Sequence, residues 1–290
     1  MNARSLIVDA HQHFLSPATF SYPWLDEGSR IDGEFGPADL EPLLRTSGID
    51  ATVLVQALHD PEESLWMLAI ARETPWIAGV VGWVDLTGRD VDGQLARLRE
   101  APGGELLVGI RDQPGDGVLP WRDRRDVATG LAALAAHDMP FDLLLQPPDL
   151  PGAIDVARAH PTLRLVVDHL AKPEIAAGWA AAGGWARDLA TIAREPNVWC
   201  KLSGLVTEAS WDTWSVADLE PFVAHAFDCF GPRRILFGTD WPVCELAAGY
   251  AEVVDATREL TAAFSDDERS AIFGRNGATF YGLVPPRAPT

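Results

Sequence analysis

Short runs of β-branched and aliphatic residues recur along this chain, separated by longer stretches in which apolar positions return with a helical period. The apolar runs fall at residues 6–9, 52–56, 77–83, 106–111, 141–146, 163–169, 198–203 and 235–238. Several are nearly continuous in Val, Ile and Leu, the pattern of parallel strands buried on both faces. Amphipathic stretches such as 39–46, 62–74, 124–137 and 185–195 lie between them. Eight strand–helix repeats in 290 residues predict an α/β chain, a (β/α)8 TIM barrel in one domain spanning 1–290. An open doubly wound sheet competes with it, but that topology calls for a Gly-rich phosphate turn that the chain lacks. An extra C-terminal helix begins at Ser265, where Ser265 and Glu268 have capping-box spacing, and 285–290 reads as a loose tail. The segment 14–37, rich in Gly, Pro and aromatics, is too long for an ordinary connection and reads as a lid after the first strand.

A barrel of this kind carries its active site at the C-terminal ends of its strands. Those ends are polar here. The first run leads into Asp9-Ala10-His11-Gln12-His13. Side chains alternate along a strand, so His11 and His13 share a face, and Asp9 is expected to share it too. Two convergent imidazoles make half of a tetrahedral metal site. The other ends offer Gln56, Trp83 and Asp85, Arg111, Gln146, Asp168-His169, Lys201 and Ser203, and Thr239-Asp240-Trp241. In 198–203, alternation puts Trp199, Lys201 and Ser203 on the inner face, so Lys201 enters the barrel mouth and needs an acidic or polar partner there. The same alternation puts Leu163, Leu165, Val167 and His169 on one face. His59, His137, His160 and His225 fall in helices or at helix ends and read as surface or packing residues.

Composition narrows the partners. Forty-two acidic against 23 basic residues give a formal charge of −19, which repels nucleic acid and anionic membrane, so neither is expected. The N-terminal stretch lacks a signal-like pattern and no apolar run is long enough to span a bilayer, which predicts a cytoplasmic protein. Cys200, Cys229 and Cys244 are odd in number and lack C-x-x-C spacing, so no disulfide framework is expected. The basic residues are 21 arginines and two lysines, Lys172 and Lys201, so these two positions stand out for their compact ammonium. Nothing in the sequence bears on oligomeric state.

Taken together, His11-Gln12-His13, Gly109-Ile110-Arg111, Val167-Asp168-His169-Leu170-Ala171-Lys172-Pro173, Cys200-Lys201-Leu202-Ser203-Gly204-Leu205 and Phe237-Gly238-Thr239-Asp240-Trp241-Pro242 resemble the amidohydrolase superfamily. They are most similar to its sugar-lactone hydrolase branch, typified by fuconolactonase and rhamnonolactonase, and the ending from Phe273 to Leu283 is similar too. The resemblance implies a barrel with a metal site at its rim: His11 and His13 as ligands, Asp240 as the carboxylate, and His169 as a further ligand or carbonyl-polarising group. Two-metal members bridge their ions with a carboxylated lysine at the end of strand four. Arg111 stands there, and Gln146 ends strand five, so one divalent ion at most is implied, zinc or manganese. Related pyrone-dicarboxylate lactonases work without metal, which keeps a metal-free site open.

The activity implied is hydrolysis of a lactone, foremost a sugar aldonolactone, with Asp240 shuttling the proton and His169 and Lys201 stabilising the oxyanion. Arg111, Gln146 and Gln56 are expected to hold substrate oxygens, and Trp24 and Trp241 to cover the ring. Rivals are a metal-independent dicarboxylate lactonase, a lactone isomerase, a metal-dependent decarboxylase of an unsaturated acid and, outside enzymes, a sugar-acid-binding barrel.

Overall fold

A computed structural model describes residues 6–88, 90–112 and 127–283. Among them eight parallel strands pair in sequence order: β1 (Val8–Gln12), β2 (Ala51–Val55), β3 (Ile77–Gly82), β4 (Leu107–Asp112), β5 (Phe141–Leu143), β6 (Leu165–Val167), β7 (Val198–Leu202) and β8 (Ile235–Phe237). The connections carry helices α1 (Pro37–Ser47), α2 (Pro61–Glu73), α3 (Val91–Glu100), α4 (Ala128–Ala136), α5 (Leu150–Ala159), α6 (Gly183–Ile192), α7 (Val216–Phe230) and α8 (Tyr250–Leu260). The expected (β/α)8 barrel is therefore the fold. Residues 124–126 of the expected helix and the 285–290 tail lie outside the described residues.

The ends of β1 and β8 close the barrel through a bridge between Gln12 and Trp241 and backbone bonds from His13 N to Trp241 O (2.6 Å) and Asp240 N to His11 O (2.8 Å). That closure sets Asp240 beside both histidines.

Side chains alternate between two apolar layers. Leu54, Val80, Ile110, Leu165, Val167, Val198, Cys200 and Leu202 face outward into a layer with helix residues such as Leu68, Leu131, Leu189 and Phe222. Val8, Ala10, Val53, Val55, Val81, Val166 and Leu236 face inward and pack with Phe280 and Tyr281. Those two aromatics come from α10 (Asn276–Tyr281), which follows α9 (Asp266–Ser270) and plugs the end of the barrel away from the histidines. The expected capping box starts α9: Ser265 N donates to Glu268 Oε2 at 2.9 Å and Glu268 N to Ser265 Oγ at 3.4 Å. Among the described residues no helix is long and apolar enough to cross a membrane.

The segment 14–36 lies over the rim. A bridge between Leu15 and Phe35 ties its two ends, Phe14 and Phe35 pack edge-on against Trp241, and Trp24 Nε1 donates to Ala57 O at 2.9 Å.

Candidate active site

The first strand does not alternate regularly. Asp9 pairs with Thr52 and Gln12 with Leu54, so three steps on β1 oppose two on β2, a β-bulge. The extra residue corrects the expectation that Asp9 shares the histidines' face. Asp9 instead accepts bonds from Thr239 N (3.0 Å), Thr239 Oγ1 (2.6 Å), Tyr250 Oη (3.1 Å) and His11 N (3.1 Å). It pins β8 to β1. Burial pushes its carboxyl up to about 6 against those four bonds.

His11 and His13 point into the mouth with their Nε2 atoms 3.2 Å apart. His13 Nδ1–H donates to Val55 O at 2.7 Å, which leaves its Nε2 lone pair aimed at Asp240 Oδ1, 3.2 Å away. His11 Nε2 is 3.6 Å from the same oxygen. Burial foremost lowers both imidazoles, so they are neutral near pH 7. Burial alone would raise Asp240, but His169 and then the bonded His13 hold it well below the usual carboxylate range. His13 Nε2 and Asp240 Oδ1 thus converge as acceptors on His11 Nε2, which Arg111 Nη1 also approaches to 3.3 Å. Tetrahedral zinc with bonds near 2.0–2.1 Å needs donors about 3.3 Å apart, which these separations match. The donor set His11, His13 and Asp240 fits one divalent ion.

A second set, His11, Asp168 and His169, also converges. Its carboxylate is already engaged by two cations, Lys201 Nζ on Oδ1 at 3.0 Å and Arg111 Nη1 on Oδ2 at 3.3 Å. Lys201 is wholly buried beneath His11, donates to Asp142 Oδ2 at 2.6 Å and lies 3.0 Å from His11 Nδ1. It has the acidic partners that its inward face demands. It supports His11 from below and does not line the cleft, which corrects its expected place beside a developing oxyanion.

His169 reaches the cleft by a route that strand alternation does not describe. Leu165 and Val167 face the outer layer, and a continued strand would send His169 there as well. The strand stops at Val167, and His169, Leu170, Ala171 and Lys172 follow with φ of 53°, 53°, 58° and 49°. A left-handed turn of four non-glycine residues costs roughly 1–2 kcal/mol at each. It returns His169 to the rim, where Nδ1 meets Ser203 Oγ at 2.9 Å and Nε2 stands 3.8 Å from Asp240 Oδ1. Burial lowers His169 to about 4. Gly204, at φ +64°, leaves it room, since a Cβ there would sit 2.6 Å from His169 Nδ1.

These groups open on a cleft of about 170 Å³ lined by His13, Trp24, Arg111, His169, Lys172 and Asp240, with Ala57, Leu144 and Val243. Arg111 and Trp24 are where the sequence expects them. Gln56 lies behind, its carbonyl accepting from Arg111 Nη2 and its Nε2 donating to Arg111 O at 3.3 Å. Gln146 is exposed beyond the short β5 and heads the turn 147–149, outside the cleft lining. Trp241 is buried under Phe14 and Phe35 with Nε1 on Glu245, so it supports the rim and does not cover a ligand. Residues missing from the expected set are Asp142, Asp168 and Tyr281, whose Oη donates to Asp142 Oδ2 at 2.6 Å. An aspartate inside Phe141-Asp142-Leu143 was the available signal. A larger groove of about 490 Å³ near Leu6 and Phe273 lies at the other end of the barrel, and its Arg258 and Arg269 are paired with Asp255 and Asp266.

The barrel with a His-x-His, a strand-eight aspartate and a strand-six histidine at one rim defines an amidohydrolase: the chain belongs to the amidohydrolase family, whose model matches residues 8–283. It is similar to L-fucono-1,5-lactonase of Burkholderia ambifaria, 38% identical over 285 residues that span 96% of each chain. L-fucono-1,5-lactonase of Burkholderia multivorans is 36% identical over 293 residues, 97% of this chain and 98% of that one. A crystal structure of a B. multivorans amidohydrolase with bound zinc superposes with a TM-score of 0.89 at 36% identity, covering 96% of this chain and 100% of that chain.

Proposed function

We propose that this chain, as one barrel domain over 1–290, is a cytoplasmic lactonase that hydrolyses a sugar aldonolactone, a six-membered 1,5-lactone foremost. The convergence of His11, His13 and Asp240 at the floor of a cleft walled by Arg111, His169 and Trp24 carries this reading. Near-full-length similarity to two L-fucono-1,5-lactonases supports it.

His11, His13 and Asp240 would hold one divalent ion, zinc or manganese, which when bound supplies Lewis-acid polarisation and acidifies water. Asp240 is ionised at neutral pH and accepts the proton of the attacking water. It returns that proton to the ring oxygen as the C–O bond breaks, so water and lactone become a hydroxy acid. His169 is neutral, has its Nδ1 engaged by Ser203 and presents Nε2 to the carbonyl oxygen. A donor so placed is worth roughly 3–4 kcal/mol in the transition state. Arg111 is fixed by Asp168 and the Gln56 carbonyl, and it offers its guanidinium edge to substrate oxygens.

A panel of five- and six-membered aldonolactones, followed with a pH indicator, tests the proposal. Turnover of the six-membered ring with release of a carboxylic acid is expected. Absence of turnover across the panel, or carbon dioxide release from an unsaturated acid in its place, overturns it.

A further inference from the structure

Lys172 is one of two lysines among 23 basic residues, and the left-handed turn that delivers His169 delivers it as well. Positions three apart on a helical turn share a face. Accordingly His169 and Lys172 both line the cleft, while Leu170 and Ala171 between them are wholly buried. The turn is locked at both levels: Lys172 N donates to His169 O at 2.8 Å and Trp185 Nε1 donates to Leu170 O at 2.6 Å. The ammonium is not left as a free charge. Glu208, largely buried behind it, approaches Nζ to 3.4 Å. One of the three N–H donors is thereby engaged, which leaves two for a ligand in the cleft that Lys172 lines.

The other cleft-lining cation is treated alike, since Arg111 is paired with Asp168 at 3.3 Å. A cleft whose cations each carry a carboxylate offers directional donors with little net positive charge. That suits neutral hydroxyl oxygens and does not suit an additional carboxylate.

We propose that Lys172, positioned by Glu208, is a specificity-determining residue that binds ring hydroxyls and selects neutral polyhydroxylated lactones over unsubstituted and anionic ones. The proposal rests on the lactonase reading above and names the substrate class that this site selects. Lys172 donates to a hydroxyl oxygen. Glu208 aims the ammonium and cancels its charge without touching the ligand.

The test compares an aldono-1,5-lactone with δ-valerolactone, the same ring without hydroxyls, and with an aldarolactone bearing a carboxylate. Lys172→Met keeps the length of the side chain and the backbone demand of the turn. It should lower the kcat/KM ratio of hydroxylated to unsubstituted lactone at least tenfold, mainly through KM. Glu208→Gln should shift the ratio of neutral to anionic lactone about tenfold towards the anion. Ratios within twofold of the unaltered protein in both variants overturn the proposal, as does an equal loss on all three substrates. Calorimetric binding of a 1,5-anhydroalditol, a polyhydroxylated ring with no carbonyl, reads the subsite without turnover. Tenfold weaker binding to Lys172→Met is expected, and unchanged binding overturns the assignment. If the unaltered protein hydrolyses no lactone yet binds this ring through Lys172, the lactonase reading falls and the hydroxyl subsite stands.

Discussion

Lys201 Nζ lies 2.6 Å from Asp142 Oδ2 inside the barrel, with both side chains wholly shielded from solvent. Tyr281, from the helix that plugs the far end, donates to the same oxygen, and Lys201 continues to Asp168 and His11. The rim that carries His11 is thus braced by charges rooted in the barrel interior. Replacing Lys201 by Met leaves buried Asp142 without its cation and Asp168 with Arg111 alone, a loss of about 3–5 kcal/mol. Thermal unfolding should show a Tm lower by roughly 10 °C. Asp142→Asn in the same background should recover part of that loss. A Lys201→Met protein as stable as the unaltered chain contradicts the bracing role.

Glu63 is buried beneath the loop after β2, where its Oε2 accepts from Ala57 N at 2.9 Å and Leu58 N at 2.8 Å. Burial pushes its carboxyl up to about 7, against those two bonds. A folded value above the unfolded one means that the fold favours the protonated acid. Its contribution is complete below the unfolded value near 4.5 and is lost as pH rises through about 7. Glu63→Gln does not titrate, so it should gain stability relative to the unaltered chain between pH 5 and 7.5, by up to about 3 kcal/mol. Urea unfolding at the two pH values checks this, and a difference independent of pH contradicts it.

The two convergent donor sets differ in what already occupies them, since Lys201 and Arg111 neutralise Asp168 while the side chain of Asp240 meets His11, His13 and His169. Metal-stripped protein titrated with zinc should take up one equivalent per chain. Zinc at a hundred times its dissociation constant should stabilise the fold by about 2.7 kcal/mol. His13→Ala should abolish both effects. Uptake of two equivalents, or none, contradicts this assignment.

Much of the scaffold was legible in the chain because buried parallel strands read as continuous apolar runs, and all eight lie where those runs fall. The inward placement of Lys201 followed from simple alternation, since β7 is regular. Asp9 and His169 escaped that rule for local reasons. A bulge adds a residue to β1, and a left-handed turn replaces the end of β6, so the two-residue period fails where the chemistry sits. Their positions at strand ends predict Trp241 and Gln146 in the cleft, but the packing of segment 14–36 and the shortness of β5 decide their places. The link from Tyr281 to Asp142 spans 139 residues and that from Lys172 to Glu208 joins different elements, so no local pattern announces them.

Asp240 is the group on which the proposed chemistry turns, as ligand and as proton acceptor. Steady-state hydrolysis of an aldono-1,5-lactone by the unaltered protein and by Asp240→Asn is the most direct measurement. The variant should be slower by roughly 10²–10⁴-fold in kcat while remaining folded. Turnover within a few-fold of the unaltered protein would contradict the proton-shuttle mechanism.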